Sequence, residues 1–277
     1  MKFTKMHGCG NGYIYVNCFE ENVPDPETLA IKVSDVRFGI GSDGLILVKP
    51  SDKADCMMDM YNADGSRGKM CGNGIRCVGK YVYEQGIVDK TRISIETLSG
   101  IKYLDMQVKD GKVVTAKVDM GAPILNPAEV PVKLSGDKVV ARTVEVDGES
   151  AEITCVSMGN PHAVIFVDDA ENAPVHTFGP KLECSEYFPE RANIEFCQVI
   201  SENEVRMRVW ERGSGETWAC GTGACATVVA SVLNGKTVNE VLVHMNGGDV
   251  VIKFDIENNT VYMTGPAETV CEGELYL

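Results

Sequence analysis

Shifting the sequence against itself by 149 positions brings it back into register, and this constrains the fold more than any other feature. Gly10-Asn11 falls on Gly159-Asn160, and Cys71-Gly72-Asn73-Gly74 falls on Cys220-Gly221-Thr222-Gly223. The same shift lays Tyr61-Asn62 on Trp210-Glu211 and Gly44-Leu45-Ile46-Leu47-Val48 on Asn193-Ile194-Glu195-Phe196-Cys197. Further on the register drifts by a few residues, since Gly100 pairs best with Gly248 and Val118-Asp119-Met120-Gly121 with Val261-Tyr262-Met263-Thr264. Loops of slightly different length account for that drift. Several matches in one register are not what scattered glycines produce, so the chain reads as two homologous halves. Its 277 residues suit two domains of roughly 150 residues each.

Each half is mostly strand. Alternating or β-branched stretches appear at Tyr13–Val16, Leu45–Val48, Met57–Tyr61, Arg92–Thr97, Ile101–Val108 and Lys112–Val118. They recur at Ile153–Val156, Val164–Val167, Ile194–Val199, Val205–Trp210, Val250–Phe254 and Thr260–Met263. Helices are few. One is expected from a cap at Asp25, with Pro26 in its first turn, to about Val33. Two more follow the cysteine motifs, Asn73 to about Tyr83 with Ile75, Val78 and Val82 on one face, and Thr222 to Leu233 with Ala224, Val228 and Val232. Gly86 and Gly235 suit their C-terminal stops. The expected fold class is α+β, each half a curved, mostly antiparallel, barrel-like sheet around a central helix, and Ala122 to Pro131 reads as the hinge.

Charge and composition exclude several classes. With 26 Lys+Arg against 40 Asp+Glu the formal charge is -14, which argues against a broad basic surface for nucleic acid or anionic lipid. No apolar run approaches the roughly 20 residues that cross a bilayer, and Met1-Lys2-Phe3-Thr4-Lys5 leads straight to His7 without an apolar signal segment. A cytoplasmic location is expected. The eleven cysteines form an odd set without a C-x-x-C pair, as a reducing compartment allows. The four histidines, His7, His162, His176 and His244, show no metal-ligand spacing, so no metal site is expected.

The two cysteine motifs carry the chemistry. A cysteine at the start of a helix places its sulfur among unpaired N–H groups and the positive end of the helix dipole, which favours the thiolate. The flanking glycines let backbone N–H groups approach a carboxylate closely. If the halves face each other, one sulfur addresses each face of the carbon beside that carboxylate. Inverting such a stereocentre needs a base on one face and an acid on the other, and two thiols exchange those roles. Seven of the other cysteines read as packing: Cys18, Cys56, Cys155, Cys197 and Cys271 as small buried residues, Cys77 and Cys225 inside the helices. Cys9, in the Gly8-Cys9-Gly10-Asn11 loop, has no comparably placed counterpart.

On these motifs the chain resembles the diaminopimelate epimerases, cofactor-independent amino acid epimerases. The resemblance is carried by His7-Gly8-Cys9-Gly10-Asn11, Gly39-Ile40-Gly41-Ser42-Asp43-Gly44, Asn62-Ala63-Asp64-Gly65-Ser66 and Met70-Cys71-Gly72-Asn73-Gly74. Gly159-Asn160-Pro161-His162, Glu211-Arg212-Gly213-Ser214-Gly215-Glu216-Thr217 and Ala219-Cys220-Gly221-Thr222-Gly223-Ala224-Cys225 complete it. It implies interconversion of LL- and meso-2,6-diaminopimelate in lysine and peptidoglycan-precursor synthesis, without cofactor, by a homodimer whose active site lies in the cleft between the halves. It also implies a division into residues 1–119, rejoined by 266–277, and 120–265.

By the same resemblance Cys71 and Cys220 are the acid–base pair. Gly72, Asn73, Gly221 and Thr222 cradle the reacting carboxylate, and Asn11, Gly44, Asn62, Asn160 and Asn193 stand at substrate-binding positions. Arg212 clamps the distal carboxylate, Glu211 holds an ammonium group, and His162 tunes a thiol. Gly12 stands where the family usually has an acidic residue, as do Arg67 and Lys69, which read as solvated. A racemase of histidine, lysine or proline on the same fold is the alternative.

Overall fold

Both cysteine motifs lead into helices, and the strands of each half wrap around its helix. The computed structural model describes residues 1–276. Two compact units divide the chain, Met1–Asp119 with the segment from Thr264 on, and Met120–Met263. Leu277, the end of the expected returning segment, lies outside the described residues.

The first unit runs β1 (Lys2–Gly8), β2 (Asn11–Asn17), α1 (Pro26–Ser34), β3 (Gly44–Lys49), β4 (Cys56–Asn62), β5 (Arg67–Gly68) and α2 (Gly72–Glu84). It continues through β6 (Arg92–Thr97), β7 (Gly100–Lys109) and β8 (Lys112–Gly121), within which the chain passes to the second unit. The second unit runs β9 (Arg142–Val146), β10 (Glu149–Ser157), β11 (Pro161–Phe166), α3 (Gly179–Glu183), β12 (Asn193–Ser201), β13 (Glu204–Glu211), β14 (Gly215–Thr217) and α4 (Gly221–Leu233). After β15 (Glu240–Met245), β16 (Gly248–Asp255) and β17 (Thr260–Gly265), the chain returns to the first unit as β18 (Glu268–Glu274).

The duplication is visible in strand pairing, residue for residue. In the first unit Ile14 pairs with Leu45, Leu45 with Tyr61 and Tyr61 with Arg67. In the second, Ala163 pairs with Ile194, Ile194 with Trp210 and Trp210 with Glu216, each shifted by 149. The β2–β3 and β11–β12 pairs are parallel, so each mostly antiparallel sheet contains crossover connections. β18 pairs antiparallel with β1 as β9 does with β10, so the C-terminal segment supplies a strand that the second unit takes from its own start.

The helix signals hold. Asp25 caps α1 by accepting the Thr28 N–H at 3.1 Å. Gly86 and Gly235, at φ 69° and 64°, end α2 and α4, with Ile87 N–H donating to the Val82 carbonyl and Lys236 N–H to that of Ser231. The apolar residues placed on one face of each cysteine-led helix are buried, Ile75, Val78 and Val82 in α2 and Ala224 and Val228 in α4, but burial extends further round both helices. α2 is buried from Gly72 to Val82, including Arg76 and Lys80, and α4 is buried along most of its length while Val232 is only half-buried. A helix enclosed by strands buries every side, so its sequence need not alternate. The strands β1, β5, β9, β14 and β15 and the short α3 were not expected from the sequence; β5 and β14 are only two and three residues long. β18 falls in the segment that the resemblance returns to the first half.

Separate clusters fill the cores. Ile14, Val16, Leu45 and Leu47 pack against Leu29, Ala30 and Val33 of α1. In the second unit Ile153, Ile165, Phe178, Phe188, Ile194 and Phe196 form the equivalent cluster.

Candidate active site

Cys71 is the N-cap of α2. Its extended backbone turns the sulfur back over the first turn, where Sγ accepts the Gly74 N–H at 3.3 Å. The thiol donates to Asn11 Oδ1 at 3.3 Å, and Asn73 Nδ2 donates to the same oxygen at 3.4 Å. Asn11 is held in turn by Asp43, whose Oδ2 accepts Asn11 Nδ2 and the Gly12 N–H, each at 2.8 Å. A carboxylate therefore does stand beside Asn11, supplied by Asp43 instead of position 12. Burial pushes the Cys71 thiol up, while the Gly74 and Asn73 N–H groups, the Tyr13 phenol and the Arg76 guanidinium oppose that shift.

Other expected residues of the first unit have local duties. Asn62 Nδ2 donates to Ser66 Oγ at 2.9 Å within its own turn. Gly44, expected to touch substrate, is buried: a Cβ there would stand 2.1 Å from the Tyr61 carbonyl oxygen and 2.9 Å from the Tyr13 ring. Its role is to let Tyr13 pack beneath it. Arg67 is also not simply solvated. Its Nε donates to Asp59 Oδ1 at 2.7 Å, Lys49 holds the other oxygen at 2.5 Å, and the Asp59 side chain is fully buried. Lys69 is exposed.

Cys220 repeats the cap at α4, its Sγ accepting the Gly223 N–H at 3.3 Å. Around it stand groups with no acidic counterpart at Cys71. His162 is fully buried, with Nδ1 at 2.6 Å from Glu195 Oε1 and Nε2 at 3.1 Å from Asn160 Oδ1. Asn160 Nδ2 donates to Thr222 Oγ1 at 3.3 Å. Glu211 accepts a hydrogen bond from Thr217 Oγ1, and burial raises its carboxyl pKa. Burial, then Glu211 and Glu195, push the Cys220 thiol well up, against the smaller pull of Thr222 and the Gly223 N–H.

Asn193 is buried, and its amide braces the site: Oδ1 accepts the Arg212 N–H at 2.8 Å, and Nδ2 donates to the Pro161 carbonyl at 3.3 Å. The Arg212 side chain is exposed, with Nη1 donating to the Glu190 carbonyl at 3.1 Å. His162, Glu195 and Cys220 bring three ligand-type atoms within 4.8 Å of one another. The 2.6 Å between Nδ1 and Oε1 suits a shared proton, since two ligands of a tetrahedral zinc stand about 3.3 Å apart.

Sequence reasoning missed Tyr13, Asp43 and Arg76 near Cys71 and Glu195 near Cys220. Shifting the sequence by 149 sets Glu195 opposite Ile46 within a matched segment, which marks its position but not its burial, while Tyr13 falls on His162 outside the matched segments. None of the eleven cysteines is joined in a disulfide. Cys56, Cys77, Cys155, Cys197 and Cys225 are buried as expected, but Cys18 is only half-buried and Cys271 is exposed. Burial pushes the Cys77 thiol up to about 12, well away from reactivity.

The sequence model of the diaminopimelate epimerase family matches residues 3–126 and 154–270, which include both cysteine helices and every candidate residue. The chain belongs to the diaminopimelate epimerase family. Among relatives, the diaminopimelate epimerase of Agathobacter rectalis is 56% identical over 99% of each chain. That of Acetivibrio thermocellus is 57% identical over 100% of this chain and 99% of its own. Solved structures with this fold extend beyond diaminopimelate epimerases. A probable proline racemase from Agrobacterium radiobacter covers 100% of this chain and 93% of its own, with a TM-score of 0.74 at 14% identity. A hydroxyproline epimerase from Agrobacterium vitis covers 99% and 90%, with a TM-score of 0.71 at 13% identity. No helix among the described residues is long and apolar enough to cross a membrane.

Proposed function

We propose that this member of the diaminopimelate epimerase family interconverts LL- and meso-2,6-diaminopimelate, with Cys71 and Cys220 as the two acid–base groups. The observation that carries the reading is the repeated thiol cap: two cysteines in one duplicated register, each accepting the N–H three residues on at 3.3 Å. A thiolate removes the α-proton from one face as the C–H electrons move into the carboxylate. The opposite thiol then delivers its proton to the other face, which inverts the centre and exchanges the protonation states of the two sulfurs. First-turn N–H groups at Gly72, Asn73, Gly221 and Thr222 stabilise the charge that grows on the carboxylate.

Asn11, which accepts from the Cys71 thiol, and Asn160, which donates to Thr222 in the first turn of α4, would orient the amino acid. Glu211 would take the ammonium group, and the exposed Arg212, now donating to the Glu190 carbonyl, would turn toward the distal carboxylate. The carboxylate serves as the electron sink, so the proposed reaction needs no cofactor or metal. Eleven cysteines without a disulfide fit a reducing, cytoplasmic setting. The homodimer is inferred from the family resemblance, and light scattering tests it.

Reduced protein incubated with LL-diaminopimelate in D2O tests the reaction. Deuterium at the α-position together with the meso isomer is expected, and each of Cys71→Ala and Cys220→Ala should abolish interconversion. Exchange on L-histidine, L-lysine or L-proline, with none on diaminopimelate, would replace the substrate.

A further inference from the structure

The 149-residue register aligns the surroundings of the two thiols as well as the thiols themselves. Tyr13 falls on His162, Ile46 on Glu195 and Asn62 on Glu211. The strands carrying Tyr13 and Ile46 are paired in the same parallel register as those carrying His162 and Glu195. In the first unit Ile46 Cδ1 lies 2.7 Å from the point where a Cβ on Gly74 would stand. In the second, Glu195 Oε1 lies 2.8 Å from that point on Gly223, and Cys220 Sγ lies 3.1 Å from it. The same slot against the helix therefore holds a methyl group near Cys71 and a carboxylate near Cys220.

Packing does not explain Glu195. It is fully buried, and Oε2 has no hydrogen-bond partner, an arrangement that isoleucine avoids in the other unit. Its Oε1 meets His162 Nδ1 at 2.6 Å. The imidazole is fixed on both sides: Nε2 donates to Asn160 Oδ1, while Asn193, turned by the Arg212 N–H, points Nδ2 at Nδ1 from 3.4 Å. Both ring nitrogens are thus engaged, Nδ1 at Glu195 and Nε2 at Asn160. Cys220 faces His162 from β11, Glu195 from β12 and Glu211 from β13, with Cys155 of β10 lying behind Glu195. Cys71 faces the Tyr13 phenol from β2 and Arg76 from its own helix, with Cys77 and Tyr15 behind, and Asp43 reaches it only by way of Asn11 and Tyr13.

We propose that Glu195 is a positioning residue that makes the two thiols unequal: held by His162 beside the Cys220 sulfur, its carboxylate keeps Cys220 protonated at rest and leaves Cys71 to carry the thiolate that opens the reaction. The inference rests on the two-thiol reading above. It deepens that reading by assigning the resting proton. In the first half-reaction the α-proton passes to Cys71, and the Cys220 S–H proton passes to the opposite face of the same carbon. After this step Cys220 holds the negative charge among carboxyl oxygens, so it recovers a proton readily.

Alkylation by iodoacetamide across a pH series, with the Cys71 and Cys220 peptides quantified separately by mass spectrometry, reads each thiol in the intact protein. In the unsubstituted protein Cys71 should reach half-maximal reactivity at the lower pH. In Glu195→Gln the Cys220 midpoint should fall toward that of Cys71 while the Cys71 midpoint stays. Turnover should drop by about 10- to 100-fold, with KM changed by less than about threefold. Cys220 reacting at or below the pH of Cys71 in the unsubstituted protein would overturn the proposal, and this arm needs no variant to fold. An unmoved Cys220 midpoint in a folded Glu195→Gln protein would overturn it equally. Failure of the two-thiol reading shows elsewhere, as interconversion that survives in Cys71→Ala or Cys220→Ala.

Discussion

At the residue scale, Cys71 and Cys220 have two separable duties, capping a helix and moving a proton. Each sulfur accepts the N–H three residues on, and serine offers an acceptor at the same place while alanine offers none. Cys71→Ser and Cys220→Ser are expected to keep nearly full stability, whereas the alanine variants should lose about 1 kcal/mol each. All four should lose at least about 100-fold in turnover, because neither a serine hydroxyl nor a methyl group replaces a thiolate base. Thermal unfolding beside an epimerase assay checks this, and equal stability of the serine and alanine variants would remove the capping duty. The cysteines were legible because a cap signal, glycines and a duplication coincide at them. Glu195 was not. In the run Ile194–Val199 it reads as the polar, outward member of an alternating strand, yet β12 is buried on both sides next to its parallel partner β11. Asp43 was likewise illegible as the partner of Asn11, since the two meet only across 32 residues of chain.

At the scale of elements, alternation alone did not decide which strands were legible. β15 was missed although its burial alternates from Glu240 to Met245, and His244 ties it to both neighbours. Its Nδ1 meets Asp249 of β16 and its Nε2 meets Glu204 of β13, each at 2.8 Å. Burial lowers the His244 pKa, but the hydrogen bonds the ring makes to Glu204 and Asp249 outweigh it and leave the imidazole pKa raised. A histidine raised in the folded state contributes fully below its unfolded pKa of about 6.5, and the contribution is lost as pH rises through the folded value. His244→Gln should therefore cost stability near pH 6 and little near pH 9. Both carboxylates are more than a third exposed, so the effect at low pH should be about 0.5–1 kcal/mol. Unfolding midpoints measured at both pH values decide it; an equal loss at each would mean that the imidazole charge plays no part. The helices were legible at their ends, marked by Asp25, Gly86 and Gly235, and in their buried apolar residues, but not in how far burial extends round α2 and α4, which strands enclose.

At the scale of the whole molecule, the duplication is complete in the second unit and incomplete in the first, which borrows its outer strand from the far end of the chain. β18 covers β1 from Lys2 to His7, as β9 covers β10. The returning segment also supplies the Pro266 carbonyl, which accepts Arg76 Nε at 3.1 Å, and the buried Ala267. Arg76 is fully buried in α2, and its unit-2 counterpart in the register is Cys225, which needs no such partner. Removing the chain from Thr264 on would thus uncover a strand and strip a buried guanidinium of one acceptor. The expected cost is about 3 kcal/mol or more, confined to the first unit. Hydrogen exchange read by mass spectrometry should show lost protection in β1, β2 and α2, with β10 to β13 and α4 still protected. The capped Cys220 would then remain ordered while Cys71, on a helix that has lost its support, would not, and epimerisation would stop although one half-site survives. Uniform loss of protection across both units would instead mean that the two fold as one cooperative body, and equal retention in both would leave β18 without a structural role.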